Sequence, residues 1–112
     1  EAKIDSPSGT AIAIANSMIK GKPEGFESTI SESEPIKGAR GAFHKGVNIH
    51  SARMPGKVAY HEAVFGALGQ TLKITHESIN RESFMPGVLM ATRYVMNRSG
   101  LTLGLEKIMG LE

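Results

Sequence analysis

The residues with the clearest chemical potential lie at the start of the chain, in the segment Lys-Ile-Asp-Ser-Pro-Ser-Gly-Thr-Ala of residues 3–11. The proline of this segment fits the first position of a helix, where its missing N–H would have no acceptor, and Ser6 before it is a good N-cap. In that register the backbone N–H groups of Ser8, Gly9 and Thr10 have no intrahelical acceptors. The segment therefore predicts an anion site at the positive end of a helix dipole, sized for a carboxylate or a phosphate.

The side chains of the same segment support this interpretation. The hydroxyls of Ser8 and Thr10 add two donors, and Gly9 has no side chain that would keep a ligand away from the amides. Lys3 can either neutralise a bound anion or donate a proton. The same residues are also an ordinary capped helix start behind a surface lysine, and the residues alone leave both interpretations open.

The first half of the chain is predicted to hold one helix and a loop. The helix covers residues 8–20, is apolar almost all round and should be buried on several sides; Gly21 and Pro23 end it. Residues 22–40 are rich in Gly, Pro, Ser and Glu and predict a loop, with a short edge strand at residues 27–31 and a mobile glycine segment at residues 38–41.

The second half predicts strands followed by helix. Residues 42–52, 57–65 and 71–79 are expected to form three consecutive antiparallel strands joined by short turns. Residues 80–98 predict a helix capped by Ser83, with Pro86 in its first turn, and residues 101–112 a short helix or turn. The predicted fold class is α+β, with a helix and a mixed or antiparallel open sheet packed on one face and a C-terminal helix.

Composition excludes several classes of function. The 112 residues contain no cysteine, so thiolate catalysis and cysteine zinc sites are ruled out. The net charge of +2 comes from scattered basic residues and only 5% of residues are aromatic, which argues against nucleic-acid binding. No apolar run approaches a membrane span, and the first residues do not resemble a signal peptide, so we expect a cytoplasmic protein.

Metal and triad chemistry are not predicted. The four histidines are His44, His50, His61 and His76. None has a second ligand at the usual spacing of a few residues, so we expect strand or interface histidines rather than a metal site. The loop after the first helix contains a possible acidic cluster of Glu27, Glu32 and Glu34. They are interpreted as solvated loop charges, and no nucleophile elbow accompanies the histidines.

Residues 1–11 closely resemble the signature of the 4-hydroxy-tetrahydrodipicolinate reductase (dihydrodipicolinate reductase) family. The family motif is similar to His-His-x-x-Lys-x-Asp-Ala-Pro-Ser-Gly-Thr-Ala, and Ser6 stands here in place of the usual Ala. Residues 58–62, 74–78 and 80–84 resemble later parts of the same family, so the resemblance covers nearly the whole chain. The paired histidines of the motif would lie immediately before Glu1.

The resemblance implies a reaction and roles for four residues. The family passes a hydride from NADH or NADPH to a cyclic dicarboxylate in lysine and diaminopimelate biosynthesis. Lys3 would be the catalytic proton donor, and Ser8, Gly9 and Thr10 would hold a substrate carboxylate. The nucleotide-binding domain would precede Glu1, so no cofactor-binding residue is expected in this chain, which alone should be inactive.

The resemblance also implies an architecture of the glyceraldehyde-3-phosphate-dehydrogenase-like C-terminal domain type. Residues 1–80 would form a substrate-binding and tetramerisation domain whose first strand lies upstream, and residues 81–112 a helical segment that packs on the nucleotide domain. A homotetramer is expected. The alternative is a non-catalytic, anion-binding oligomerisation domain that keeps the fold without the chemistry.

Overall fold

The computed structural model describes residues 3–27 and 33–111. Residues 28–31 of the predicted edge strand therefore lie outside the described residues. Within them, helices and small antiparallel sheets alternate with loops, which confirms the α+β class. The elements are α1 (Gly9–Gly21), β1 (Ala42–His44), β2 (Val47–Ile49), β3 (Ala59–Ala67), β4 (Gln70–Ser78), a 3₁₀ helix (Arg81–Phe84), α2 (Met85–Val95) and α3 (Leu105–Met109).

Helix α1 begins two residues later than the Ser6–Pro7 cap predicted. Ser8 is the N-cap: its backbone is extended, its Oγ accepts the Ala11 N–H at 3.1 Å, and its carbonyl accepts the Ile12 N–H at 3.1 Å. The prediction of Ser6 as the cap was wrong, because the hydroxyl that reaches the third amide of the helix belongs to Ser8. Pro7 precedes the helix after a cis peptide bond.

Helix α1 contacts the rest of the chain along one stripe rather than on several sides. Ala15 is 2% exposed, whereas Ile12 is 38% exposed. The stripe, which packs against β2, recurs at helical spacing and consists of Ala11, Ile14, Ala15, Met18 and Ile19. The prediction of burial on several sides was therefore wrong for the described residues, and the remaining apolar side chains of the helix face outward.

The first predicted strand, residues 42–52, is a hairpin. Ala42 pairs with Ile49 and His44 with Val47, and the two-residue turn between the strands is formed by Lys45 and Gly46. These two turn residues have φ angles of 49° and 90°, the left-handed conformations that a tight hairpin turn of matching twist requires. A single strand was therefore the wrong prediction for this segment.

The predicted second and third strands are confirmed as the antiparallel pair β3–β4, with ends shifted by up to two residues. The register places His61 opposite His76, Ala63 opposite Ile74 and Phe65 opposite Leu72 on one face. The β3 residues of this face are half-buried, and Phe65 packs on Phe26 with ring centroids 6.4 Å apart. Strand β4 stays exposed along nearly its whole length.

The predicted second helix is a 3₁₀ helix followed by α2. Asn80, not Ser83, provides the cap, because its Oδ1 accepts the Glu82 N–H at 2.9 Å while the Ser83 hydroxyl donates to the Asn80 carbonyl. Pro86 falls in the first turn of α2, as predicted, and the short terminal helix is α3. Among the helices of the described residues, none has the length and apolar character needed to span a bilayer.

Candidate active site

The loop before α1 carries the predicted proton donor. Lys3 Nζ lies 3.5 Å from Asp5 Oδ2, and about half of each side chain is exposed. The carbonyl of Asp5 accepts a hydrogen bond from Arg53 Nη2 at 2.7 Å. Arg53 lies between β2 and β3, so the loop is held by a residue 48 positions further along the chain.

The N-terminus of α1 presents its first amides to solvent. Gly9 and Thr10 are the first two helical residues, and both are exposed. Their backbone N–H groups lack intrahelical acceptors, whereas the Ala11 N–H is already bonded to Ser8 Oγ. A β-carbon added at Gly9 would meet no atom within 4 Å. The two amides and the Thr10 hydroxyl are therefore accessible donors at the positive end of the helix dipole.

Lys3, Ser8 and Thr10 line one open cavity of about 1520 Å³ between α1, β2 and β3. Three of the four predicted site residues thus line the same cavity, and Gly9 lies between two of them in the sequence. Five cationic side chains line the cavity: Lys3, Lys22, Arg53, Lys57 and Arg81. Lys3 and Lys57 each form an ion pair with a carboxylate outside this lining. The carboxylates among the described lining residues are Glu27 and Glu62, so a small excess of positive charge remains that favours anions.

The histidines are distributed over several environments. His44 Nε2 lies 2.9 Å from Asn16 Oδ1, which ties β1 to α1. His61 and His76 face one another across the β3–β4 ladder, and His50 follows β2. In the part of the chain that the structure describes, no three His, Cys, Asp or Glu side chains are arranged to hold a metal ion.

Glu34 organises the loop that precedes β1. Its Oε1 accepts the Arg40 N–H at 3.0 Å. This bond, together with one from the Gly38 N–H, lowers the pKa of the Glu34 carboxyl below its ordinary value. The Glu34 carboxylate therefore bonds to the backbone of its own loop, whereas the sequence predicted a solvated charge without a fixed partner.

A polar network crosses the other face of the β3–β4 hairpin. Tyr60 Oη donates to Glu62 Oε2 at 3.0 Å, and Thr75 Oγ1 donates to the same oxygen at 3.4 Å. The bond to Glu62 raises the pKa of the Tyr60 phenol. Lys57 forms an ion pair with Glu77 and lies 5.1 Å from the centre of the Tyr60 ring.

Sequence reasoning identified the helix N-terminus and missed the residue that holds the loop beside it. The signal for the helix was local, since Pro, Ser and Gly mark a helix start within a few positions. Arg53 carries no such local signal, because its partner is the backbone carbonyl of a residue in a different segment. Only the three-dimensional structure brings the two segments together.

Comparison with known proteins assigns the chain to a family. The family described as "Dihydrodipicolinate reductase, C-terminus" matches residues 1–109. Nearly the whole chain is thus similar to the C-terminal part of this reductase family. The chain belongs to the dihydrodipicolinate reductase family.

Individual relatives agree with this assignment. The 4-hydroxy-tetrahydrodipicolinate reductase of Halalkalibacterium halodurans is 50% identical over 109 residues, which cover 95% of this chain and 40% of the relative. The protein of the same name from Dehalococcoides mccartyi strain 195 is 43% identical, with coverage of 97% and 41%. The chain therefore spans about two fifths of the length of these relatives.

A solved structure confirms the fold. The dipicolinate-bound dihydrodipicolinate reductase from Paenisporosarcina sp. TG-14 is similar with a TM-score of 0.79 and 42% sequence identity. The similarity covers 95% of this chain and 40% of that chain.

Proposed function

We propose that this chain is the substrate-binding and oligomerisation part of a reductase that transfers hydride from NADH or NADPH to 4-hydroxy-tetrahydrodipicolinate, a step of lysine and diaminopimelate biosynthesis. The observation that carries the proposal is that Lys3, Ser8 and Thr10 line the same cationic cavity. Support comes from the relative whose structure holds dipicolinate, a planar dicarboxylate.

In this proposal the helix N-terminus binds one carboxylate of the substrate. The amides of Gly9 and Thr10 donate to its oxygens, and the hydroxyls of Ser8 and Thr10 add further donors. Binding at this position places the substrate ring beside the loop that carries Lys3. The helix dipole and the cationic lining together offset the desolvation of a doubly charged ligand.

Lys3 is the proposed catalytic acid. Its ammonium donates a proton to the substrate as hydride reaches the ring, and the lysine leaves the step as a neutral amine that water reprotonates. The Asp5 carboxylate lies 3.5 Å from this ammonium. The orientation of both groups relative to the helix N-terminus decides whether the proton reaches the substrate.

NADH or NADPH supplies the hydride in this family's reaction, and the described residues do not fit a nucleotide site. The strands of the described residues pair antiparallel in two hairpins. A dinucleotide site of the common type needs a parallel β-α-β unit with a glycine-rich turn. The cofactor is therefore assigned to protein outside these residues, and the chain alone is proposed to be inactive.

The proposal includes a cytoplasmic homotetramer in which residues 1–80 assemble through their sheets and residues 81–112 pack on a nucleotide domain. Exposed apolar side chains support this division. Leu72 and Ile74 on β4 are 59% and 60% exposed, and Val88 and Leu89 on α2 are 51% and 55% exposed. Surfaces of this kind are usually covered in the working assembly.

A chimera tests the proposed activity directly. Residues 1–112 replace the matching segment of the Halalkalibacterium halodurans reductase, and NAD(P)H oxidation in the presence of 4-hydroxy-tetrahydrodipicolinate is measured. Titration calorimetry with pyridine-2,6-dicarboxylate measures binding to the chimera and to a Lys3→Ala, Thr10→Val double variant. We expect turnover by the chimera, and loss of turnover with weaker dicarboxylate binding in the variant.

The calorimetric result also distinguishes the proposed reductase function from the alternative function. A folded chimera that binds the dicarboxylate without oxidising NAD(P)H would support the non-catalytic, anion-binding oligomerisation domain. Binding unchanged by the double variant would contradict the assignment of the carboxylate site to the helix N-terminus.

A further inference from the structure

We infer that Arg53 is a positioning residue of the proposed active site, which holds the loop of Lys3 in register with the N-terminus of α1. The inference rests on the proposed function, because it assigns Arg53 a role through Lys3. Arg53 lies in the segment between β2 and β3, outside the signature that identified the site.

The geometry of Arg53 is that of a bridge between two segments. Nη2 donates to the Asp5 carbonyl at 2.7 Å, and Nη1 donates to the Ala52 carbonyl at 2.9 Å. The second bond fixes the guanidinium relative to its own backbone, so the first bond transmits that position to the loop. Hydrogen bonds from a charged donor are shorter and stronger than neutral ones.

Asp5 connects this bridge to the proposed proton donor. Its main chain accepts the bond from Arg53, and its side chain lies 3.5 Å from the ammonium of Lys3. An exposed ion pair of this kind contributes little by itself. The position of Lys3 therefore depends on where the Asp5 backbone is held.

Little else in the immediate loop can hold it. Residues 3–6 are exposed and lie outside regular secondary structure. The side chain of Ile4 is fully exposed, so it provides no apolar anchor. Helix α1, by contrast, packs on β2 through its half-buried apolar stripe. A loss of the Arg53 bond would leave the helix amides in place and release Lys3.

This asymmetry predicts a particular kinetic signature. The amides that bind the carboxylate stay fixed on α1 and four of the five lining cations remain, so the binding of dicarboxylate should weaken much less than the rate falls. The proton donor loses its alignment, and small misplacements of reacting groups cost up to about a hundredfold in rate. Arg53 variants should therefore change kcat much more than KM.

The test uses the active chimera with four variants: Arg53→Met, Arg53→Lys, Lys3→Ala and the double variant Lys3→Ala, Arg53→Met. We expect Arg53→Met to lower kcat roughly tenfold to a hundredfold with KM within about threefold of the unchanged chimera. Arg53→Lys keeps a cationic donor but lacks the two guanidinium nitrogens that bond to separate carbonyls, so it should recover part of the loss. Lys20→Met, in the exposed last turn of α1 and outside the cavity lining, is the control and should leave kcat unchanged.

The double variant distinguishes positioning from general stabilisation. If Arg53 acts through Lys3, Arg53→Met should lower kcat less than about threefold further in the Lys3→Ala background, because the two effects are not additive. A full additional loss there would overturn the inference, as would normal kcat in Arg53→Met. Thermal unfolding of each variant identifies a loss of fold. If Arg53→Met does not fold, the kcat of Arg53→Lys relative to the unchanged chimera decides whether Arg53 acts on the rate.

Failure of the inference is distinguishable from failure of the proposed function. Normal kcat in Arg53→Met together with a strongly reduced kcat in Lys3→Ala removes only the role of Arg53. Normal kcat in Lys3→Ala removes the proposed proton donor, and with it the basis for any role of Arg53 through that residue.

Discussion

The hydroxyl oxygen of Ser8 accepts the backbone N–H of Ala11 at 3.1 Å, and this bond closes the first turn of α1. It also decides which amides remain for a ligand. Because Ala11 is satisfied by the cap, Gly9 and Thr10 are left to donate outward. The same serine therefore stabilises the helix and defines the width of the proposed carboxylate site.

Removal of this cap should destabilise the protein. Ser8→Ala leaves the Ala11 N–H without its partner, and we expect the free energy of unfolding to fall by about 1 kcal/mol. Urea denaturation measures the change. Ser17→Ala is the matched control, because Ser17 Oγ donates to the Ala13 carbonyl within the same helix and caps nothing. Equal effects of the two substitutions would contradict the assignment of Ser8 as the cap.

The turn between β1 and β2 offers a second prediction. Gly46 has a φ of 90°, and a β-carbon there would lie 3.0 Å from the Phe26 carbonyl oxygen. Gly56 has a similar φ of 82° with no atom within 4 Å of that position. Gly46→Ala therefore carries both backbone strain and a close contact, whereas Gly56→Ala carries the strain alone.

Thermal unfolding of the two alanine variants isolates the close contact. We expect Gly46→Ala to lower the melting temperature more than Gly56→Ala does, since both pay the cost of a left-handed alanine. Equal melting temperatures would mean that the loop of Phe26 moves away from the hairpin turn without cost.

The elements that sequence predicted correctly are those with local signals. The β3 and β4 strands are bounded by Gly and Pro turns and alternate in polarity, so their pairing followed from short-range rules. The position of Pro86 in the first turn of α2 followed from its missing N–H in the same way. Family resemblance supplied the proposed roles of Lys3 and the helix N-terminus, which local rules left open and which stay predictions.

The elements that sequence missed depend on distant partners or on unusual turn residues. The turn between β1 and β2 uses Lys45 in a left-handed conformation, where Asn, Asp or Gly would have signalled a hairpin. The contact of Arg53 with the Asp5 carbonyl joins segments 48 residues apart and involves no periodic pattern. The one-sided burial of α1 depends on how many elements pack against it, and this number cannot be predicted from the apolar residues of α1 itself.

The loop before β1 should respond to acid through Glu34. Backbone N–H groups of Arg40 and then Gly38 lower the pKa of this carboxyl below its ordinary value of 4.5. A depressed folded-state pKa contributes stability that is fully present above the unfolded value and is lost as the pH falls through the folded value. The Arg40 and Gly38 amide resonances should therefore titrate in NMR spectra with a midpoint below pH 4.5.

Glu34→Gln provides the control for this titration. The amide oxygen can still accept a hydrogen bond but carries no charge, so the acid-induced shift of the Arg40 resonance should disappear. Glu24→Gln, an exposed glutamate elsewhere in the described residues, should leave the shift in place. A titration of the Arg40 amide that persists in Glu34→Gln would assign the effect to a different group.

The β3–β4 hairpin should respond to base through Tyr60. Its phenol donates to Glu62, which raises the pKa of Tyr60 above 10.0. The folded state thus favours the protonated phenol, and this contribution to stability is present below the unfolded pKa and is lost as the pH rises through the folded value. In a Tyr94→Phe background, where Tyr60 is the remaining tyrosine, ultraviolet absorbance should titrate above pH 10.

Glu62→Gln removes the carboxylate and should lower the midpoint, whereas Glu106→Gln on α3 should not change it. A midpoint unaffected by Glu62→Gln would contradict the hydrogen bond as the cause of the raised pKa.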